Sequence, residues 1–236
     1  LRRFITIHLP RNSRKNNLFV NSLLEDRINH CIWIGTEGEL YRYDLKTKVA
    51  VCVNAFHGNS VKTMTLDRDN RLLAGTDDGL HIFDGKTDRY VRHDSRSVSS
   101  LAGDIVRGLF TDAARHIWVG TDNGISIASN STGERSIPIS QITGVGNGNQ
   151  FYAIYRDAKA RLWLGGSNGL IQTDAQLGSA ASSIWYRVGN AAFPLRHNHV
   201  RCIYQDREKK LWLATDGGIM QYDEGSRQWK HFNLVD

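Results

Sequence analysis

The 236-residue chain has few cysteines, no long apolar run and no dense block of basic residues. Its three cysteines, Cys31, Cys52 and Cys202, are an odd number without close spacing. This excludes a C-x-x-C metal or redox motif and a dense disulfide framework. Each cysteine lies among apolar residues, so we expect all three to be packed in the interior. Cysteine usage therefore does not indicate the redox compartment.

No stretch of about 18 apolar residues is present, so this segment is not expected to insert into a membrane. The first residues, "LRRFITIHLP", do not form an intact signal peptide, and any export signal is expected to be missing from this sequence. The net charge of +6 favours anionic partners. Because no basic block is dense, nucleic acid is not expected among them, and solubility is the simpler interpretation of the charge.

One short segment occurs five times. Each copy has a Trp or Leu, an apolar residue, a Gly or Ala, and a polar turn. The copies are "IWIGTEGELYRYD" (32–44), "LLAGTDDGLHIFD" (72–84), "IWVGTDNGISIA" (117–128), "LWLGGSNGLIQTD" (162–174) and "LWLATDGGIMQYD" (211–223). The anchors at positions 33, 73, 118, 163 and 212 are 40, 45, 45 and 49 residues apart, a period that indicates a repeat architecture.

Each repeat is predicted to fold as four short strands. An apolar stretch ending in aspartate, such as "VRGLFTD" (106–112), forms the first strand, and the anchor segment forms the second and third. A stretch such as "QWKHFN" (228–233) forms the fourth. Helix signals are essentially absent. The sequence therefore predicts an all-β fold, a β-propeller of four-stranded antiparallel blades.

The repeats predict one propeller domain with five complete blades. The predicted units are 17–58, 59–102, 103–147, 148–196 and 197–233. Residues 2–8, "RRFITIH", match the fourth-strand pattern and are interpreted as an orphan outer strand of a preceding blade. The five blades either close into a ring or form part of a larger propeller of about seven blades, which we favour.

Glycines mark two positions of the repeat. Tight hairpins are predicted to need a positive φ at Gly79, Gly124, Gly169 and Gly218. The first copy has Glu39 there and Gly38 one place earlier, so its hairpin is expected to differ in type. One position of the second strand has a very small side chain or none in every copy: Gly35, Gly75, Gly120, Gly165 and, in the last copy, Ala214. This predicts close approach of a neighbouring strand or blade.

The repeated aromatic and acidic residues have a structural and a functional interpretation. Trp33, Trp118, Trp163 and Trp212 could form a sugar-stacking platform, but one fixed strand position favours packing between blades. Asp67, Asp112, Asp157 and Asp206 could resemble catalytic carboxylates. Because each lies in a separate blade at the start of a turn, we expect them to cap the turns.

The composite "N-x-V-x-x-I-x-x-D-x-x-x-x-L-W-I-G-T-D-x-G-L-x-x-Y-D" resembles the two-component regulator propeller repeat. Residues 198–223 match it best, 59–84 and 104–127 follow it well, and the resemblance covers about 17–233. Departures include "EGE" (37–39), Leu73 for Trp and Gly166 for Thr. The resemblance implies a periplasmic sensor region of a hybrid histidine kinase that senses glycan-derived oligosaccharides, with downstream domains of the parent protein, or a second protomer, as partners.

Blade topology indicates a candidate ligand site at the mouth of the central channel. In a four-stranded meander the second-to-third turn and the link into the next blade share one end, where the innermost strand begins. The residues at this place are Asn21, Lys62, Arg107, Tyr152 and Arg201. Three cations at one mouth would favour an anionic ligand, unless they are merely solvated. The link before the last blade adds Arg196, His197 and His199, and segment 129–150 is expected to be an extended, Gly-rich loop.

Three classes of function remain open. The first is a sensor, itself no enzyme, that binds an oligosaccharide, acidic in character, at Lys62, Arg107, Tyr152, Arg196, His197, His199 and Arg201. The second is a propeller lyase or glycosidase, but glycoside hydrolysis needs two facing carboxylates and the predicted mouth is cationic or neutral. The third is a scaffold for protein partners. No motif for a cofactor, a metal or a catalytic triad is found.

Overall fold

The computed structural model describes residues 5–10, 19–56, 58–97, 100–113, 115–129, 133–138, 150–174, 183–192 and 194–232. These residues form five separate four-stranded antiparallel sheets. Apart from one 3-10 turn at Asn54–Phe56, the described part of the chain contains no helix. None of its segments forms a helix long and apolar enough to cross a membrane. The predicted all-β class is confirmed.

Each sheet corresponds to one predicted repeat and is called a blade. Blade 1 contains β1 (Val20–Asp26), β2 (Cys31–Thr36), β3 (Leu40–Asp44) and β4 (Ala50–Val53). Blade 2 contains β5 (Val61–Leu66), β6 (Leu72–Thr76), β7 (Gly79–Phe83) and β8 (Asp88–Val91). Blade 3 contains β9 (Val106–Thr111), β10 (Ile117–Thr121), β11 (Gly124–Ser129) and β12 (Gly133–Pro138). Blade 4 contains β13 (Phe151–Arg156), β14 (Leu162–Gly166), β15 (Gly169–Thr173) and β16 (Ile184–Tyr186). Blade 5 contains β17 (Val200–Gln205), β18 (Leu211–Thr215), β19 (Gly218–Asp223) and β20 (Gln228–Phe232).

The blades follow one another around an axis. Within each blade the strands pair in chain order, and the first strands of successive blades contact each other in the order β1, β5, β9, β13, β17. The first strand of every blade is therefore innermost, as predicted from the meander. The outward face of blade 5 is uncovered, since Ala214 is exposed and Ile219 is 50% exposed. The chain is a partial propeller.

The core lies between the blades and not within them. Trp33 packs against Val61 and Leu72 of blade 2. The repeat places Leu73, Trp118 and Trp163 in the same way against blades 3, 4 and 5. These anchors are 0–6% exposed, whereas Trp212 of the uncovered blade is partly exposed. The prediction that the tryptophans serve core packing is confirmed for Trp33, Trp118 and Trp163, but not for Trp212, whose blade has no neighbour on that side. Truncating a buried one would cost about 3–5 kcal/mol.

The bare strand position allows the close approach of neighbouring blades. A Cβ added at Gly75 would lie 2.4 Å from Cγ1 of Val106, the first residue of the next inner strand. At Gly120 it would lie 2.9 Å from the carbonyl oxygen of Phe151. Two further glycines, Gly35 and Gly165, meet the next blade in the same manner. The predicted role of this position is therefore confirmed.

The hairpin glycines have the predicted conformation, with φ of +112° at Gly79. Glu39, at the same place in blade 1, does not have a positive φ, so its hairpin differs as expected. A second left-handed position was not foreseen. It follows each inner-strand aspartate by three or four residues and is occupied by His30, Asn70, Arg115, Ala160 and Lys209.

The aspartates at the ends of the inner strands cap the turns, as predicted. Asp157 accepts hydrogen bonds from the backbone nitrogens of Lys159 (2.9 Å) and Arg161 (3.0 Å). It also accepts a bond from the Trp163 indole at 2.8 Å. The same aspartate–indole bond occurs in blades 1, 3 and 5. Each aspartate thus ties its turn to the aromatic anchor of the same blade.

Two expectations about local structure were wrong. Residues 133–138, expected within an extended loop, form β12 and pair with β11, because the outer edge of blade 3 needs a fourth strand. Cys202 is exposed and Cys52 only partly buried, while Cys31 is buried as expected. Cys202 lies on β17 of the uncovered blade, and this accounts for its exposure.

The predicted outer strand at 2–8 lies partly outside the described residues. Residues 5–10 are not assigned to a strand. Ile7 and Leu9 nevertheless pack on the outward face of blade 1, against the cluster formed by Ile34, Tyr41 and Tyr43. The Tyr41 hydroxyl also donates to the Pro10 carbonyl at 3.2 Å. An outer strand of a preceding blade stays a prediction, and this contact is compatible with it.

Candidate ligand-binding site

Turns and links meet at one end of the propeller. The backbone nitrogen of Gly79, in the second-to-third turn of blade 2, donates to the carbonyl of Asp104 in the link to blade 3 (2.7 Å). Gly169 of blade 4 makes the same bond to Asn198 in the link to blade 5 (2.8 Å). The first residues of the inner strands lie at this end, called the mouth below.

Three predicted site residues form one row at the mouth. The Arg107 guanidinium carbon lies 5.8 Å from the centre of the Tyr152 ring, and that of Arg201 lies 4.6 Å from it. The three residues come from successive blades, on β9, β13 and β17. The Tyr152 hydroxyl donates to Oε1 of Gln150 at 2.8 Å and is thereby oriented. The row offers an aromatic ring between two guanidinium groups, an arrangement suited to cation–π contacts.

The charge of Arg201 is largely compensated. Its Nε and Nη2 donate to the two carboxylate oxygens of Asp216 at 2.7 and 2.9 Å. Nδ1 of His199 lies 2.9 Å from the same carboxylate. The hydrogen bonds from Arg201, and also from His199, hold the pKa of Asp216 far below its usual range. Asp216 is thus ionised at neutral pH and offsets one of the three predicted cations.

Arg107 has no such counter-charge. Its Nε is buried and has no hydrogen-bond partner, and its guanidinium takes part in no ion pair within the described ranges. A buried donor without an acceptor lowers the free energy of unfolding by about 1–3 kcal/mol, and by more if the group is charged. Such a group therefore indicates a functional role. Of the two arginines in the row, Arg107 therefore keeps its positive charge for a ligand.

Lys62 lies at a neighbouring place on β5. Its Nζ donates to Oγ of Ser60 at 3.4 Å, and Nδ2 of Asn21 donates to the same oxygen at 3.3 Å. Oδ1 of Asp77 accepts a bond from the Ser60 backbone nitrogen at 2.9 Å. Lys62 therefore belongs to a second small cluster at the mouth, between blades 1 and 2.

The link residues differ in their placement. The ring of His197 packs against Gly217 and lies edge-on to His199, with the ring centres 5.6 Å apart. The His199 backbone nitrogen donates to Nδ1 of His197 at 3.2 Å. Arg196 is exposed and makes none of these contacts. The structure thus brings His199 and Arg201 together, keeps His197 beside them, and leaves Arg196 outside.

Sequence reasoning missed Asp216. The signal was present, since "TDGG" (215–218) is the second-to-third turn, which shares the mouth with the link. Asp77 and Asp122 have the corresponding place in blades 2 and 3 and also accept bonds from link residues. No group of three or more His, Cys, Asp or Glu in the described part of the chain is arranged to hold a metal ion.

The chain is similar to known propeller proteins in sequence and fold. A family model described as two-component regulator propeller matches residues 194–217. No curated protein matches the chain. The extracellular domain of the hybrid two-component system BT4673 from B. thetaiotaomicron is 48% identical, with 98% of this chain and 31% of that chain covered and a TM-score of 0.50.

More distant structures share the fold. The extracellular domain of a second such system, BT3049 from B. thetaiotaomicron, is 19% identical with a TM-score of 0.75, covering 91% of this chain and 30% of that chain. Virginiamycin B lyase from Staphylococcus aureus is 11% identical with a TM-score of 0.66, covering 91% of this chain and 69% of the lyase. The chain spans slightly under a third of the two sensor structures. Its five in-phase repeats, the family-model match and the identity to a sensor domain show that the chain belongs to the two-component regulator propeller family.

Proposed function

We propose that the chain is the extracytoplasmic, periplasmic sensing part of a hybrid two-component histidine kinase. In this proposal it binds an acidic oligosaccharide at the mouth and is not itself an enzyme. The 48% identity to the extracellular domain of a hybrid two-component system supports the location and the type of parent protein. The signal would pass to downstream domains of that parent or to a second protomer. Signalling of this kind requires that the ligand bind one of two states more tightly.

The observation that carries the ligand proposal is the state of Arg107. Its buried Nε has no acceptor, while the neighbouring Arg201 is already paired with Asp216. A carboxylate or sulfate group of a sugar would pair with this uncompensated guanidinium, and a charge-assisted bond of this type contributes about 1.5–3 kcal/mol. The Tyr152 ring beside it would stack on a sugar face. Acidic sugars therefore fit the row better than neutral ones.

The proposal can be tested by titrating the 236-residue chain with oligosaccharides of hexuronic acid and, in parallel, with neutral glucose oligosaccharides. Calorimetry should show tighter binding of the acidic set, weakening as salt concentration rises. Arg107→Gln should reduce the affinity about 10- to 100-fold, which corresponds to the loss of one charge-assisted bond. Combined neutral substitution of Lys62, Arg107 and Arg201 should abolish binding.

Arg89→Gln is the matched control, because Arg89 is an exposed arginine on the outer strand of blade 2 and not at the mouth. It should leave the affinity unchanged. Equal binding of acidic sugars by Arg107→Gln, with an intact fold, would remove the ligand proposal. Appearance of cleaved or unsaturated sugar products during the titration would instead favour the enzyme alternative.

A further inference from the structure

A basic residue follows the left-handed turn residue in four of the five blades. It is Arg71, His116, Arg161 or Lys210, four residues after the inner-strand aspartate. In blades 2 and 4 this residue is an arginine that forms an ion pair with that aspartate. In blade 3, Nδ1 of His116 lies 3.0 Å from the aspartate. Blade 1 has Cys31 at the corresponding place, immediately after the left-handed His30. Blade 1 therefore lacks the basic residue that the other four blades have at this place.

Blade 4 shows what the cation contacts. Nε of Arg161 donates to Oδ2 of Asp157 at 2.6 Å. Its guanidinium carbon lies 5.2 Å from the Trp163 ring centre and 5.8 Å from that of Tyr222, which belongs to blade 5. Glu224, also in blade 5, accepts a further bond from it. The Arg161 guanidinium is thus hydrogen-bonded to the Asp157 carboxylate and lies beside the Trp163 and Tyr222 rings. It lines the groove between blades 4 and 5.

The groove between blades 1 and 2 has the same walls. Asp26 and Trp33 of blade 1 correspond to Asp157 and Trp163, and Phe83 of blade 2 corresponds to Tyr222. The rings of Trp33 and Phe83 are 6.1 Å apart and edge-to-face, like those of Trp163 and Tyr222 at 5.4 Å. The groove has a volume of about 460 Å³, and its polar lining also includes Asn29, Arg42, Asn70 and Asp84.

Asp26 is a buried carboxylate without a cation. It is 1% exposed and accepts bonds from the backbone and side-chain nitrogens of Asn29 (2.9 and 2.8 Å) and from the Trp33 indole (3.3 Å). Although burial raises the pKa of Asp26, the bonds from Asn29 and Trp33 hold it below its ordinary value, so the group is ionised at neutral pH. Among the four buried aspartates of the described residues, the other three each have an arginine within 4 Å: Arg71 for Asp67, Arg156 for Asp112 and Arg161 for Asp157.

Arg42 also lines the groove, but its guanidinium contacts Asn29 and Asp44 and forms no ion pair with Asp26. Its Nη2 donates to the Asn29 carbonyl at 3.4 Å and lies 3.6 Å from Oδ2 of Asp44. Asp84, on the blade 2 side, adds a second carboxylate. The groove therefore retains an excess of negative charge facing two aromatic rings.

We propose that this groove binds a guanidinium group, with Asp26 as its acceptor and the Trp33 and Phe83 rings beside it. The place is the one that Arg161 occupies between blades 4 and 5. The ligand is either a free arginine-like molecule or an arginine side chain of a polypeptide. The site is distinct from the mouth and independent of the function proposed there.

The Trp33 indole N–H provides a direct probe, because it donates to Asp26. In nitrogen-15 NMR spectra of the 236-residue chain, methylguanidinium should shift the Trp33 indole signal saturably and leave the Trp118 and Trp163 signals in place. Blocked arginine (N-acetyl, N-methylamide) binding more tightly than methylguanidinium and free arginine would indicate a peptide source, and the reverse a free ligand. Blocked citrulline, its neutral isostere, should cause no saturable shift.

Two variants make the test decisive. Asp26→Asn should weaken binding at least tenfold, since one charge-assisted bond is lost. Cys31→Arg places a guanidinium at the position of Arg161 and should abolish the response to the probe, and it decides the question if Asp26→Asn does not fold. Asp206→Asn, at the matching place in blade 5, is the control and should leave the response unchanged. Absence of a saturable shift, an equal shift with citrulline, or undiminished binding in both groove variants would overturn the proposal.

Discussion

At the residue scale, stability depends on the aspartate that ends each inner strand. Asp157 accepts from the Trp163 indole, from Arg161 and from two backbone nitrogens, and it is buried. Asp157→Ala should therefore lower the free energy of unfolding by about 3 kcal/mol, because buried donors lose their acceptor and Arg161 loses a partner. Urea denaturation followed by tryptophan fluorescence measures this loss.

Asp206 is the matched control for that prediction. It accepts the equivalent bonds from Trp212 (2.7 Å) and the Lys210 backbone (2.8 Å), but it lies on the uncovered blade. Its donors can turn to water, so Asp206→Ala should cost clearly less than Asp157→Ala. Equal losses would show that burial between blades does not set the strength of these bonds.

Residue types predicted some of these features and not others. Asp-rich turns indicated capping, because Asp commonly accepts from the backbone two or more residues ahead. The left-handed residues at His30 and Ala160 could not be predicted, since neither is a glycine. The compensation of Arg201 by Asp216 was also missed, because it depends on the distance between a turn and an inner strand 15 residues apart. The net charge of a site depends on ion pairs between residues that are distant in sequence, so counting the cations at predicted positions does not give it.

At the element scale, the spacing of blades is set by small residues on the second strand. Gly120→Ala would place a methyl group 2.9 Å from the Phe151 carbonyl oxygen, a backbone atom that cannot rotate away. We expect a loss of about 1–3 kcal/mol, typical of overpacking. Ala214→Val changes the same repeat position where no blade of this chain covers it and should be neutral within about 0.5 kcal/mol. Chemical denaturation of both variants compares them; a larger loss for Ala214→Val would contradict this account of blade spacing.

Strands with a strong repeat pattern were predicted closely. The inner strand of blade 3, at 106–111, lies within the predicted stretch of 106–112. β12 was missed because "GERSIP" lacks the aromatic and apolar alternation of the other fourth strands, and pairing with β11 overrides this weak local preference. Outer strands have one solvent-facing edge, so the sequence constrains them least.

At the scale of the whole molecule, the repeat predicted the propeller architecture, but it predicted neither the total number of blades nor the ligand. Five blades and their interfaces follow from a period of 40–50 residues. The number of blades in the complete propeller does not follow from the repeat, since this chain covers 31% of the BT4673 extracellular domain. The ligand depends on side chains from several blades meeting at the mouth. Neither can be obtained from one repeat.

In a linear array of repeats, stability is a sum of terms within blades and between neighbours. Blade 4 buries both faces, and every residue of β14 is buried; blade 5 buries one face, and Trp212, Ala214 and Thr215 of β18 are partly or fully exposed. Local opening should therefore begin at blade 5. Hydrogen-exchange mass spectrometry of this chain should show faster exchange in residues 211–215 than in the equivalent 162–166.

The matched comparison is β10 of blade 3, which is buried on both faces and should exchange as slowly as β14. A longer chain that covers blade 5 with another blade should slow exchange in 211–215 and leave 162–166 unchanged. Uniform exchange over all five blades would mean that the five blades open as one cooperative unit. The free energy that couples neighbouring blades would then exceed the free energy gained by covering a second face of one blade. A ligand bound at the mouth could in that case change the stability of all five blades together.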